Sequence, residues 1–371
     1  MKLRYYILPF LALLVMSCSS DDSGITAPEE PEVSVASFIA VGEDASNVYQ
    51  FNYDGTTEQG TQQNLTADFS INTGYLTQRQ TDDLLSFYYF QGGTFSLIIK
   101  DIRTDALGRF SDIFANSEGR SVAWGTNTES NVIFGFFGPF GTRNLGIQDV
   151  SLQNNNVTDT AIDVDIDFVY QPLLFNERVY FAYRDNVGDY KFTFYDTATQ
   201  SSGPILNFQE IPISFLITNQ GEVAIVKNGV NATLEIYDAV ELSLKEDLSL
   251  AFNTGFSAGP IDGAVYNNGV LFYAFPFVQP SAYPSGPATF NITSQENTIV
   301  DFISIAAEVE SALGAAIGLT VQLYDADQGV FLVGYEVLDQ SARGGVLQIT
   351  PLGELVANVE TSFVPTYFVR N

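Results

Sequence analysis

The chain has 371 residues, a formal net charge of −29 at pH 7, 30 Phe and 19 Tyr against one Trp, one Cys and no His. Without histidine there is no Ser-His-Asp or Cys-His catalysis, no zinc site built on His and no His-ligated haem. So acidic a surface repels phosphate backbones and anionic lipid headgroups, which argues against nucleic acid as a partner.

The first predicted element is an export signal, residues 1–17. Lys2 and Arg4 precede an apolar run from Tyr5 to Met16 that is too short to span a bilayer as a helix. Val15-Met16-Ser17-Cys18 resembles the lipobox of bacterial lipoprotein signal peptides, which implies cleavage before Cys18 and its acylation, palmitate included. A lone thiol in an exported chain cannot form an internal disulfide, so lipid anchoring is the use left for it. An ordinary secretory signal cut near Ser17 is the alternative. Loss of Lys2 and Arg4 takes the formal charge from −29 to −31.

Residues 18–33 follow as an acidic, disordered tether with Pro28, Pro31 and three glutamates. Its Ser19-Ser20-Asp21-Asp22 start resembles the signal that sends some Gram-negative lipoproteins to the outer face of the outer membrane. The expected address is therefore the outer membrane, lipid-anchored and exposed at the cell surface, with the inner leaflet as the alternative. Buried acyl methylenes would hold the protein there without a membrane-spanning segment.

From residue 34 to 371 one phrase recurs: apolar alternation closed by Asp or an equivalent. It occupies 48–54, 95–101, 144–149, 191–196 and 232–238, and weaker copies lie at 288–293 and 345–350. The closing residues Asp54, Asp101, Asp149, Asp196 and Asp238 stand 47, 48, 47 and 42 apart, near the ~40–50 residues of a four-stranded propeller blade. The fifth copy shows the whole unit at 213–218, 222–227, 233–238 and 244–251, with turns at Asn219-Gln220-Gly221 and Asn228-Gly229. The reading is an all-β propeller of seven four-stranded blades, named A to D from the axis outward. Six blades, or two separate β-domains, are the alternatives.

Blade one lacks its own strand A and opens with strand B at 34–41. The chain ends in a strand at 363–370 that has no blade. Pairing the two closes the ring and removes two free sheet edges. Between blades six and seven, 306–317 places Val309, Leu313 and Ile317 on one stripe and reads as a short amphipathic helix. Asp163-Val-Asp-Ile-Asp167 alternates as one face of an outer strand and lacks the glycine and distant Glu of a calcium loop. Tyr324–Gly329 reads as a hairpin turn. No metal and no cofactor is expected, and no spacing singles out a catalytic pair of acids.

The two rims differ. The A–B and C–D turns collect Asp82, Asp83, Glu129, Glu177, Asp325, Asp327, Glu241 and Glu354, with Arg79, Arg103, Arg178 and Lys245 in partial offset. The B–C rim is longer, more aromatic and nearer neutral, with Arg120 and Trp124 opening strand A of blade three on the same side. Its candidate ligand-binding residues are Phe137, Phe140 and Arg143 in blade three, Tyr183 and Arg184 in blade four and Lys227 in blade five. Phe275, Phe277 and Tyr283 follow in blade six and Arg343 in blade seven. Pro- and Gly-rich loops with exposed aromatics and a few cations suit a ligand with flat apolar parts and negative charge, whereas packing between blades is the structural use of the same rings.

The lipobox, acidic tether and propeller together resemble the surface lipoproteins that accompany TonB-dependent receptors. The resemblance is one of layout over the whole chain and transfers no functional residue. It implies a monomeric, non-enzymatic protein that captures a small ligand, an iron–siderophore complex or similar, for an outer-membrane receptor. A carboxylate-based carbohydrate-active enzyme, or a glycan-binding or adhesin propeller, is the alternative.

Overall fold

In a computed structural model the alternating segments pair into seven sheets, one per repeat. The structure describes residues 34–115, 119–229, 231–252 and 254–370; the expected signal peptide, Cys18 and the tether lie outside them. Among the described residues no helix is long and apolar enough to cross a membrane.

Blade one takes strand A from the other end of the chain, as the unpaired C-terminal segment predicts. Val364–Phe368 pairs antiparallel with strand B, Phe38–Glu43, which places Ala40 opposite Phe368. Strand B starts four residues later than the alternation indicates. The residues before it are held instead by blade seven, where Gln348 Oε1 accepts from Ala36 N at 2.6 Å and Gln348 Nε2 donates to Ala36 O at 2.8 Å. Gly42 permits the closing pair to approach, since a Cβ there would lie 2.0 Å from the Val364 carbonyl oxygen.

Every recurring phrase is a strand C. Its closing acid turns the chain toward strand D, as a carboxylate can accept from backbone N–H groups two and three residues on. Asp101 Oδ1 accepts from Arg103 N at 2.8 Å and Thr104 N at 2.9 Å, and Asp238 Oδ1 accepts from Val240 N and Glu241 N. Asn291 does the same with Thr293 N and Ser294 N in blade six. Blade three departs from the expectation. Its strand C is Leu145–Ser151, Ser151 holds the turn position, and Asp149 is buried, accepting from Asn131 Nδ2 at 2.6 Å and Tyr195 Oη at 3.1 Å. Burial raises the Asp149 carboxyl above the usual carboxylate range.

The buried apolar side chains of the described residues form seven clusters, and each bridges two neighbouring blades. At the junction of blades seven and one, for example, Leu332 and Val346 meet Phe38, Ala40 and Phe368. Between blades six and seven the rings of Phe272 and Tyr324 stack with centroids 3.7 Å apart. Each fully buried Phe or Leu contributes roughly 1.5–3 kcal/mol by leaving water, so most of the apolar content is spent on joining blades.

A short helix, α1, spans Leu65–Phe69 between blades one and two. The second, α2, is Phe302–Leu313, four residues earlier than the predicted 306–317. Asp301 caps its start by accepting from Ser304 N, and Gly314 ends it in the left-handed conformation, so Ile317 already belongs to blade seven. The stripe that packs is Phe302, Ile305, Ala306 and Val309. The run Asp163–Asp167 is likewise not one strand: Asp165 takes a φ of 57° and bends the chain from blade three into blade four. Tyr324–Gly329 is the A–B turn of blade seven, as read.

Candidate functional site

The A–B and C–D connections share one rim, and the acids read from the sequence lie in them. At the centre of this rim the inner strands enclose a cavity of about 660 Å³. Gln78, Arg79 and Gln80 reach it from strand A of blade two, Thr77–Thr81, while Tyr367 and Arg370 come from the closing segment. Leu173, Leu174 and Phe175 of blade four, Leu216 and Ile217 of blade five and Tyr324 of blade seven supply apolar wall. Asp82, Asp83, Asp262, Asp325 and Asp327 line the same cavity.

Asp262 is present because blade five carries an extra strand. Between its strand D and blade six the chain runs inward, and Gly259–Pro260 pairs parallel with Ser214 and Phe215 of strand A. Gly263, at φ 67°, then passes so near blade seven that a Cβ would lie 1.9 Å from the Gln322 carbonyl oxygen. Sequence reasoning missed this insertion. Its signal was the punctuation Gly259-Pro260 and Asp262-Gly263, in a stretch between the fifth and sixth copies to which the repeat assigns no element.

Gln80 fastens the closing segment to blade two. Its Nε2 donates to Arg370 O at 2.6 Å, and its Oε1 accepts from Arg370 N at 2.8 Å and Tyr367 Oη at 3.2 Å. Beside it, Arg79 Nε donates to Gly125 O at 3.3 Å and Nη2 donates to Gln171 Oε1. Both acceptors are neutral. Burial pushes the Arg79 guanidinium pKa down, against the pull of Asp262. Burial raises the Tyr367 phenol, and the charges of Arg370 and Arg79 oppose that shift while Asp262 adds to it, so these four groups share one electrostatic field.

The charge pairing is uneven across the molecule. Thirteen of the fifteen Lys and Arg are described, and ten of them form ion pairs with described residues. The other three are Arg79, Arg109 and Arg370. Arg109 donates to the Phe69 carbonyl; Arg79 and Arg370 line the axial cavity.

None of the ten residues predicted as ligand-binding lines this cavity. Arg143 and Arg184 converge on one carboxylate, Asp167, which Arg143 Nη1 reaches at 2.8 Å. Those two guanidiniums, Arg184 first, hold the Asp167 carboxyl below the usual range. Lys227 pairs with Glu235, whose other oxygen accepts from Tyr237 Oη at 2.5 Å. Arg343 pairs with Asp339 at 3.0 Å and Glu360 at 3.6 Å. Tyr183 is fully buried and donates to Asp163 Oδ2, and Phe137 is half-buried against the cluster of blades three and four. Phe275 and Phe277 lie with centroids 6.2 Å apart, and Tyr283 is buried with its hydroxyl on Glu310. Phe140, 87% exposed, is the one ring of the set that stands in solvent. Pairing across strands, invisible in a linear reading, has neutralised the cations of this rim.

No protein-family model matches the chain, and no curated protein matches it. Among solved structures it is similar to puromycin hydrolase at 11% identity and a TM-score of 0.50, over 89% of this chain and 55% of that one. A mutant of that enzyme complexed with PGG gives 11% identity and a TM-score of 0.52 over the same shares. The β-propeller domain of the Trilobed protease from Pyrococcus furiosus gives 7% identity and a TM-score of 0.49, over 88% of this chain and 95% of that one. The chain spans about half the length of puromycin hydrolase, and what the two share is the propeller fold.

Proposed function

We propose that this chain is a non-catalytic, ligand-binding lipoprotein of the outer-membrane surface, anchored through Cys18, that holds a small molecule in the axial cavity of its propeller. One observation carries the site: in a chain with a formal charge of −29, two of the three described cations outside ion pairs line the same cavity. A concave, half-apolar space with a few convergent polar groups is the usual form of a small-ligand site, and about 660 Å³ falls within the common range. The address rests on the lipobox and the acidic tether. Delivery to a TonB-dependent receptor, with an iron–siderophore complex as cargo, rests on the resemblance in layout.

The second reading is a carbohydrate-active enzyme working with carboxylates. It draws on Asp82, Asp262 and Asp327, which line the cavity outside any ion pair among the described residues. The likeness to puromycin hydrolase, at 11% identity, is one of fold and carries no catalytic group to this chain.

A thermal-shift panel of ferric siderophores and oligosaccharides on the purified protein tests the site. At least one compound should raise Tm, and Ala326→Trp, placed in the exposed lining of the mouth, should abolish the rise. No shift with any compound overturns small-ligand capture; hydrolysis of an oligosaccharide supports the enzyme instead. Incorporation of radiolabelled palmitate, lost in Cys18→Ser, tests the anchor.

A further inference from the structure

We infer that the ligand of the axial cavity is zwitterionic and peptide-like, with a carboxylate received by Arg79 and Arg370 and an ammonium group facing Asp262. This rests on the reading that the cavity is the ligand site, and it names the chemical class of that ligand.

Arg79 carries the first half. A guanidinium has five N–H donors in a planar fork, and its natural complement is a carboxylate taken through two parallel bonds. Here Nε and Nη2 meet neutral oxygens of Gly125 and Gln171, and no described carboxylate lies within ion-pair distance. A cation partly withdrawn from water bears a desolvation cost, and here two neutral acceptors and the charge of Asp262, which is outside ion-pair distance, offset it only in part. Acids are plentiful in this chain, and ten other described cations have found one. Arg370, exposed on the same wall, adds a second guanidinium outside any ion pair among the described residues, and Gln80 bonds both its backbone and the Tyr367 hydroxyl.

Asp262 carries the second half. The inserted strand brings it to the cavity, and Gly263 fixes it there by close passage along blade seven. It forms no ion pair among the described residues, yet it acts on both Arg79 and Tyr367. A ligand with one charge of each sign would satisfy both sets at once. A polyanionic chelate would meet the surplus of Asp, and a neutral sugar would bring neither guanidinium a counter-charge. Leu216, Ile217 and Ile261 offer apolar wall for side chains between the two ends.

The probe is a pooled tripeptide library with free termini, alongside its C-amidated and N-acetylated counterparts, in equilibrium dialysis against the full-length protein. Free tripeptides should be retained, and amidation should weaken retention by at least about tenfold, the scale of one charge-assisted hydrogen-bonded pair. Arg79→Gln should weaken the free form to a similar degree and leave the amidated form unchanged; Asp262→Asn should do likewise for the free and acetylated forms. Arg370→Gln, at an exposed position near the chain's end, provides the same comparison if Arg79→Gln does not fold. Retention insensitive to amidation and to both arginine substitutions overturns the inference but leaves a small-ligand site. No retention of any tripeptide, with a siderophore or oligosaccharide still raising Tm, does the same. Silence in both assays overturns the ligand site itself.

Discussion

Glu310 Oε1 accepts from Tyr283 Oη at 2.9 Å and from Ile317 N at 3.0 Å, so one carboxylate of helix α2 joins the B–C loop of blade six to the first residue of blade seven. The long apolar loop around Tyr283 is thereby part of the inter-blade packing, with the Tyr283 ring edge-on to Phe302 at 5.2 Å. Glu310→Ala removes the acceptor from a buried hydroxyl and a backbone N–H, and should cost about 1–3 kcal/mol. Glu310→Gln keeps a carbonyl oxygen and should cost less. Urea midpoints of the two variants decide this; equal losses would mean that the helix itself, and not the shared oxygen, is what matters.

Ring closure has a similarly local fastening. Gln80 makes three hydrogen bonds to the closing segment, two of them with the backbone of Arg370. Gln80→Ala should lower stability by about 1–2 kcal/mol. It should also open Val364–Phe368 before the rest of the sheet, because that strand is held by only one neighbouring strand in its blade. Hydrogen exchange supplies the measurement: faster exchange confined to 364–368 is expected, whereas a uniform loss of protection would show that closure is not the weak point.

The ring and its closure were legible because they repeat. Five phrases ending in Asp set the period, and a strand left over at the end could only complete a blade that lacked one. The errors fell where a residue type has two uses. Asp149 matches its counterparts in spacing but is a buried acceptor, and the turn belongs to Ser151. The helix was misplaced because Val309 sits on either stripe, while the cap that fixes its start is Asp301. The rim charges were assigned to the correct sides. The cavity was not foreseen, since Arg79, Asp262 and Arg370 are far apart in sequence and meet only when the ring closes and an unforeseen strand enters blade five. The ion pairs of the predicted arginines were hidden for the same kind of reason: Asp167 reaches Arg143 and Arg184 only after the chain bends at Asp165.

The pH dependence follows from carboxylates held low. Asp339 is lowered to about 2, first by the Ser341 hydroxyl and backbone N–H and then by Arg343. A carboxylate with a depressed folded-state pKa adds stability that is present above its unfolded value near 4 and is lost as pH falls toward 2. The melting temperature should therefore fall between pH 4 and pH 2, and Asp339→Asn should fall less steeply over that interval while matching the parent's slope above it. A parallel profile for the two proteins would rule out Asp339 as a contributor. Solvent screening of this surface pair keeps the expected difference small.

Blade three offers a gain. Its C–D turn has Ser151 where blades two, four and five have Asp101, Asp196 and Asp238 and blade six has Asn291, and Ser151 Oγ meets Gln153 N only at 3.4 Å. A longer side chain with a planar oxygen spans that turn better. Asparagine is the suitable replacement, because another carboxylate would add to the self-repulsion of an acidic chain and lie near Asp149. Ser151→Asn should raise stability by about 0.5 kcal/mol, read as an upward shift in the urea midpoint at constant slope. A neutral or negative change would mean that the acid-ended turn owes its recurrence to something other than the hydrogen bonds it makes.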